Sequence, residues 1–420
     1  MMSKWCWLLS QLTRKLWFRT CFFAALAVLS ALVSIVLKPF IPPSIGGVVG
    51  SDAVDKILNI LASSMLAVTT FSLNIMVSAY SSATTSVTPR ATRLVMEDST
   101  TQNVLATFIG SFLFSLVGIV ALSMGAYGDQ GRVVLFVVTL VVIGLIVITL
   151  LRWIQHLSLL GRVGETTSRV EEATRTALEN RVNIPYLGGK PWHVHLTPPT
   201  NAIPIYPGGI GYIQHVDMQM LDTYAQQVEG ELYLQSQAGA FVHPAQPLAW
   251  LASSHGDIDA AEILDAITIS AERSFDQDPR FGLAVLAEIA SRALSPAVND
   301  PGTAIDVIGR AVRLLAIWGK KTPGASEVEY AQVYVQPILT ADLFDDIFNP
   351  IARDGAALIE VQLRLLKALQ ALEQMDPEVF SVDVRRYVVT VQHWAEQQMG
   401  SPQDREKLYD WLRHSGMGNG

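Results

Sequence analysis

The run Val133-Val134-Leu135-Phe136-Val137-Val138-Thr139-Leu140-Val141-Val142-Ile143-Gly144-Leu145-Ile146-Val147-Ile148-Thr149-Leu150-Leu151, flanked by Arg132 and Arg152, decides the fold class. It carries no charge, and a hydrocarbon core about 30 Å thick asks for about 20 such residues in a helix. Working outward toward the N-terminus, three further runs have the same character. Residues 103–124 form one, and residues 57–80 form a second that is uncharged but rich in hydroxyls. Residues 17–37 form the third, with no charge between Arg19 and Lys38. The apolar core of that run is longer than a secretory signal requires, so it reads as an uncleaved span. Beyond Arg152 no uncharged stretch of this length recurs.

The expected fold is therefore a membrane α-helical bundle of about four spans within residues 1–156, followed by a cytoplasmic α+β region. Of the 420 residues, 50% are hydrophobic and 16% charged. Soluble domains carry about 25% charged residues, so the composition belongs to a mixed membrane and soluble chain. The net charge of −8 argues against a nucleic-acid-binding surface. The two cysteines, Cys6 and Cys21, make neither a disulfide framework nor a Cys-rich zinc site.

Orientation follows from the cations. Lys4, Arg14, Lys15 and Arg19 precede or enter the first span, and Arg90 and Arg93 lie between the second and third. Arg152, Arg162, Arg169, Arg175 and Arg181 follow the fourth. The remaining loops hold only Lys38 and Lys56 in one and Arg132 in the other. The positive-inside rule then places both termini in the cytoplasm of a multi-pass protein. Trp5, Trp7, Trp17 and Trp153 suit an interfacial aromatic belt.

The second span is chemically unusual. Thr70, Asn74, Ser78 and Ser82 recur every four residues and share one helix face, which runs toward Pro89, Arg90 and Arg93. Hydroxyls and an amide have no partners among lipid tails, so this face must meet protein or water. Two readings stay open. Small polar residues let helices approach and hydrogen-bond across a bundle. Alternatively, the stripe lines a water-filled path with Arg90 and Arg93 as a cationic mouth that favours anions.

In the soluble region, residues 157–187 read as a helical connector, with Gly164, Arg169, Glu171, Glu172 and Arg175 on its solvated side. Residues 188–252, rich in Pro and Gly and in short alternating segments, read as a small β-barrel or sandwich. Its strands fall near Val194–Leu196, Ile203–Ile205, Tyr212–Val216, Leu232–Leu234, Phe241–Val242 and Pro247–Leu251, with a short helix after Asp217. Residues 257–415 return to helical periodicity, with apolar faces at Ile267 and Leu286 among others. One long helix is expected from Asn349 to Met375 and another from Asp383 to Met399. Asp278-Pro279, Asp300-Pro301 and Asp376-Pro377 each read as a capping Asp with Pro at the first helical position.

Polar groups gather at Arg273, Asp276, Asp278, Glu288, Arg292, Asn299 and Asp300. Glu288 and Arg292 have helical ion-pair spacing, and Asn299-Asp300-Pro301 is explained as a loop and cap. The same groups are candidates for a small-ligand or partner site. His193 and His195 alternate on a strand but show no third metal ligand, and Asp342, Asp345 and Asp346 read as a solvated or capping acidic knot. Walker, Gly-x-Ser-x-Gly and His-Glu-x-x-His signatures are absent.

Several runs resemble a known family. They are Ser64-Met65-Leu66-Ala67-Val68-Thr69-Thr70-Phe71-Ser72-Leu73, Ser78-Ala79-Tyr80-Ser81-Ser82, Thr88-Pro89-Arg90-Ala91-Thr92-Arg93, Gln102 through Gly110, and Ser295-Pro296-Ala297-Val298-Asn299-Asp300-Pro301. Together they resemble the bacterial membrane proteins of domain of unknown function family 2254. The chain departs from that pattern at Gly302, Ala240 and Ala245. The resemblance implies a bacterial inner-membrane protein with N-terminal spans and a cytoplasmic domain, and brings no assigned activity. The reading that follows is a non-enzymatic homo-oligomer in the lipid bilayer, with no cofactor and no metal. Its second span forms a polar path for a small ion, an anion if any, gated by the cytoplasmic α+β region as a regulatory domain. The alternative is a membrane-tethered scaffold or sensor whose soluble domain binds a partner or ligand through residues 273–300.

Overall fold

The structure is a computed structural model that describes residues 3–13, 15–36, 51–158, 160–192, 197–253, 258–320 and 328–417. It divides into two compact units: Leu8–Thr166, and Met1–Trp7 together with Thr167–Gly420.

Helix α1 (Lys4–Thr13) crosses the boundary between the units. The helical unit then holds α2 (Leu16–Val36), α3 (Ser51–Ser86), the short α4 (Pro89–Met96), α5 (Ser99–Ser123) and α6 (Gly128–Leu157). Among the described residues, three helical stretches are long and apolar enough to cross a membrane: Ala53–Ser86, Ser99–Ser123 and Gly131–Leu157. These are the three later runs read from sequence. The first run forms the 21-residue α2.

Helix α5 is central, packing against α2, α3 and α6. Of its most apolar window 56% is buried, against 17% for α6. Two apolar clusters hold the unit. One gathers Val54, Leu58, Phe114, Tyr127 and Leu135; the other gathers Leu61, Met65, Val104, Phe108, Ile146 and Trp153. The indole of Trp153 is buried and donates to Ser72 Oγ at 3.0 Å. It therefore ties α6 to α3 rather than standing in an aromatic belt. Asp98 caps α5 by accepting from Thr101 N at 2.9 Å, and lies 2.8 Å from His156 Nε2.

The α+β unit continues with α7 (Val163–Asn183), a 3-10 turn and β1 (Gly189–Pro191). Next come β2 (Ile203–Ile205), β3 (Gly211–Val216), α8 (Met218–Gln227), β4 (Gly230–Leu234), β5 (Phe241–Val242), β6 (Ala249–Ser253), α9 (Ala260–Asp265) and β7 (Ile267–Ser270). The chain ends with α10 (Pro279–Ala293), α11 (Pro301–Gly319), β8 (Tyr330–Val335), α12 (Thr340–Asp354), α13 (Ile359–Met375), α14 (Pro377–Gln398) and α15 (Pro402–Ser415).

The strands form a five-stranded mixed sheet in the order β1-β8-β4-β6-β2 and a three-stranded sheet in the order β5-β3-β7. Strand β8 lies parallel to both β1 and β4, placing Val333 beside Leu232 and Val335 beside Leu234 in one core. Two strands thus fall in the stretch read as purely helical. Ile267 stands on β7, not on a helix face, and residues 330–335 return to complete the sheet. The strand expected at 193–196 lies outside the described residues.

Two further expectations are corrected. The single helix expected from Asn349 to Met375 is broken between α12 and α13. At Gly355 a Cβ would stand 2.6 Å from Val361 Cγ1, so only glycine permits this close return. Buried Gln362 bridges the break by donating to Ala352 O at 3.1 Å. Glu171 is not on a solvated face. It is buried and accepts from Arg310 Nη1 at 2.6 Å and Arg313 Nε at 2.7 Å, tying α7 to α11. Burial alone would raise its pKa, but Arg313 and Arg310 together hold the carboxyl below its ordinary value.

The three Asp-Pro pairs behave as their local chemistry dictates. Asp278, Asp300 and Asp376 each accept a backbone N–H at 3.1 Å, from Phe281, Thr303 and Val379.

Candidate functional site

Thr70, Asn74, Ser78 and Ser82 all lie on one exposed face of α3. The opposite face packs inward through Leu58, Leu61, Met65, Ser72, Met76, Ala79 and Ala83. The exposed faces of α3 and α6 differ in kind. On α6 the outward residues are aliphatic: Val137, Leu140, Val141, Leu145, Ile148 and Leu151. On α3 Leu66, Phe71 and Val77 flank a stripe of hydroxyls and an amide. Thr70 turns its hydroxyl back to Leu66 O at 3.0 Å. An amide, with two donors and a carbonyl, cannot be fully satisfied that way. Past the stripe, Arg90 is exposed, while Arg93 donates to Glu97 at 2.8 Å.

The polar residues of the α+β unit do not form one site. Helix α10 separates them: Arg273 and Asp278 stand at its start and Asn299 and Asp300 beyond its end, about 20 Å away at 1.5 Å per residue. Asn299 is exposed at φ 51°, a left-handed conformation that asparagine tolerates, and Asp300 is exposed and caps α11. Glu288 and Arg292 are half-buried along α10. Asp276 faces another way and accepts the Trp7 indole N–H at 2.8 Å. Trp7, 5% exposed, stacks on the His215 ring with centroids 5.1 Å apart. The backbone N–H of Lys4 donates to Asp217 at 2.5 Å. Trp7 is therefore part of the α+β core and not of an interfacial belt. Trp17 is exposed, and the Trp5 side chain lies outside the described residues, as do His193 and His195.

Arg273 and Asp278 do line a cavity of about 300 Å³. Three loops enclose it: Gln235–Ala240 after β4, the β7–α10 loop, and Gln336–Ile338 after β8. Arg273 pairs bidentately with Asp278, Nε to Oδ2 at 2.8 Å and Nη2 to Oδ1 at 3.1 Å. Arg280 pairs bidentately with Asp346, at 2.7 and 3.2 Å, and reaches Asp342 at 3.0 Å. The expected acidic knot is thus bound to arginine, with Arg386 on Asp345 at 3.1 Å.

Asp278 is 3% exposed, and burial raises its pKa although Arg273 and the Phe281 N–H pull it down. Behind the wall, buried Arg181 donates to Gln237 Oε1 at 2.5 Å and Gln277 O at 3.3 Å. Its pKa falls to about 10 through burial, with Asp278 opposing. Arg181 was read from sequence as a membrane-flanking cation; the structure buries it in the α+β unit. Among the described residues no group of three metal-ligating side chains occurs. Sequence reading missed Arg181, Gln237 and Arg280. Gly239, on a turn, was the available signal, since its φ of 92° brings backbone against Asp278.

A family model described as a predicted membrane protein (DUF2254) matches residues 13–371. The chain is 27% identical over 231 residues to uncharacterized protein MT1328 of Mycobacterium tuberculosis (strain CDC 1551 / Oshkosh). It matches uncharacterized protein Mb1321c of Mycobacterium bovis and uncharacterized protein Rv1290c of Mycobacterium tuberculosis H37Rv to the same extent. Each match covers 52% of this chain and 43% of the relative, so the match spans less than half the length of these relatives. No solved structure matches.

Proposed function

The chain belongs to the predicted membrane protein family DUF2254, and from that premise we propose that it is a homo-oligomeric inner-membrane protein whose α3 helices together line a polar path. The observation that carries this reading is the contrast between the outward faces of α3 and α6. An aliphatic face suits lipid. A face bearing Thr70, Asn74, Ser78 and Ser82 does not, because an unpartnered amide in an apolar medium costs about 4–8 kcal/mol. Self-association through α3 gives those groups one another or water. Arg90 at the end of the stripe biases the path toward anions.

Four spans with both ends in the cytoplasm complete the proposal. In support, residues preceding α2 and residues following α6 belong to one compact unit, with Trp7 on His215 and Asp276. A chain that leaves and re-enters the same unit crosses the bilayer an even number of times. Three candidate spans and α2 make that number.

Purified full-length protein in planar bilayers tests the path. Conductance is expected, and Asn74→Leu is expected to lower it several-fold. A Ser78→Cys variant is expected to cross-link between copies. Cross-linking with a silent bilayer would leave α3 as a helix interface and refute the path; no cross-linking would refute the assembly.

A further inference from the structure

We infer that the cavity between the β4–β5, β7–α10 and β8–α12 loops binds a small ligand through a single oxyanion group, a carboxylate or a phosphate. This goes beyond the membrane path and does not depend on it. The cavity, about 300 Å³, is at the lower end of small-molecule sites and is built on loops held by packed elements. Its wall is polar: Gln235, Gln237 and Gln336 accompany Arg273 and Arg280.

Both arginines are held in place before any ligand arrives. The pair with Asp278 engages Nε and Nη2 of Arg273, leaving the Nη1 amine. The carboxylates of Asp346 and Asp342 take three of the five N–H groups of Arg280. A guanidinium fixed in this way presents its remaining donors without further ordering, the arrangement suited to planar oxyanions.

Charge is uneven around the wall. Arg280 faces two carboxylates. At the other end Arg181 and Arg273 share one, Asp278, and Arg181 itself is bonded to neutral oxygens of Gln237 and Gln277. That end carries one positive charge in excess and the Arg280 end one negative, so the wall is neutral overall and an anion is drawn to the Arg273 end, in a partly desolvated setting. Gln237, which accepts from Arg181 and also lines the cavity, connects the buried cation to it.

Calorimetric titration of the detergent-solubilised full chain tests this, with inorganic phosphate in one arm and succinate in the other. Succinamide, the uncharged analogue, serves as the control. Saturable binding is expected from phosphate or succinate and not from succinamide; the arm that binds identifies the source of the oxyanion. Arg273→Gln, which keeps a donor to Asp278, is expected to weaken binding at least tenfold. Ala238→Trp, which fills the cavity and leaves every charge in place, is expected to abolish it. Asn299→Ala, beyond the far end of α10, is expected to leave it unchanged. Binding that survives Ala238→Trp would place the ligand elsewhere and overturn the inference. So would the absence of binding by both anions to a wild-type chain whose thermal unfolding is cooperative.

Discussion

Replacing Gly239 by alanine strikes the cavity wall at its tightest point. A Cβ there would stand 2.1 Å from Asp278 Oδ2 and 2.4 Å from Cγ, and the residue has φ +92°. Two costs follow. Holding a non-glycine residue in such a backbone conformation costs about 1–3 kcal/mol. The overlap cannot be relieved by swinging a loose side chain aside, because Arg273 Nε, Arg273 Nη2 and the Phe281 N–H all hold the Asp278 carboxylate. Restoring ordinary contact moves it by more than an ångström and opens the bidentate pair, and breaking a buried ion pair costs about 3–5 kcal/mol. The two together come to roughly 4–8 kcal/mol, a large part of the 5–15 kcal/mol typical of a folded domain. Chemical denaturation of the full chain, followed by tryptophan fluorescence and by pulse proteolysis, measures the loss. Gly208→Ala and Gly209→Ala are the comparators: their Cβ atoms meet nothing within 4 Å, and each is expected to change stability by about 0.5 kcal/mol or less. If Gly239→Ala unfolds with the comparators, the wall is not built as described.

Trp7→Ala is expected to cost about 3 kcal/mol through loss of a buried indole, and to make the N-terminal segment protease-sensitive; unchanged proteolysis would refute its docking. Trp7→Phe, which keeps a ring on His215 but removes the N–H to Asp276, is expected to cost about 1 kcal/mol. Glu171 makes a pH prediction. Its carboxyl is held below the ordinary value, so its contribution to stability is fully present above about pH 4.5 and is lost as pH falls through the depressed folded-state value. Glu171→Gln should therefore be less stable at neutral pH, with a shallower decline below about pH 4.5; parallel pH profiles would contradict the linkage. Asp278 acts oppositely, since burial raises its carboxyl and protonation relieves a penalty as pH falls.

What was legible in the sequence was local or periodic. The apolar runs announced their helices because bilayer crossing is a matter of length and composition. The Asp-Pro caps at residues 278, 300 and 376 were legible because a cap is made within four residues. The Thr70–Ser82 stripe lies along one exposed side of α3, because a four-residue spacing fixes the angle around a helix whatever surrounds it. The surroundings were not legible. Nothing near Glu171 announces Arg310 and Arg313, which arrive from a helix more than 130 residues later. Strand β8 reads as a short apolar patch among helices, and only its pairing with β1 and β4 makes it a central strand. Arg181 sits at the end of an amphipathic helix, and its burial depends on loops that close over it from Gln237 and Gln277.

The β7–α10 loop shows why the residues clustered at 273–278 resisted a single assignment. Neighbouring positions serve different faces. Arg273 and Asp278 build the cavity wall, while Ser274 and Asp276 hold the Trp7 indole, Ser274 Oγ donating to Asp276 at 3.1 Å. Between them Gln277 uses its side-chain amide as a strand would use its backbone, accepting from Val216 N at 3.0 Å and donating to Val216 O at 3.4 Å. A segment this short cannot move one face and leave the other still, because the cavity pair and the indole anchor share its covalent path. Occupancy of the cavity and docking of the N-terminal segment therefore influence each other only if the loop has two arrangements of similar energy. The bidentate Arg273–Asp278 pair and the two Gln277 bonds favour one arrangement strongly. The structure thus argues for a rigid loop, in which the cavity pair and the N-terminal anchor use different bonds on one short segment that the two Gln277 bonds hold to β3.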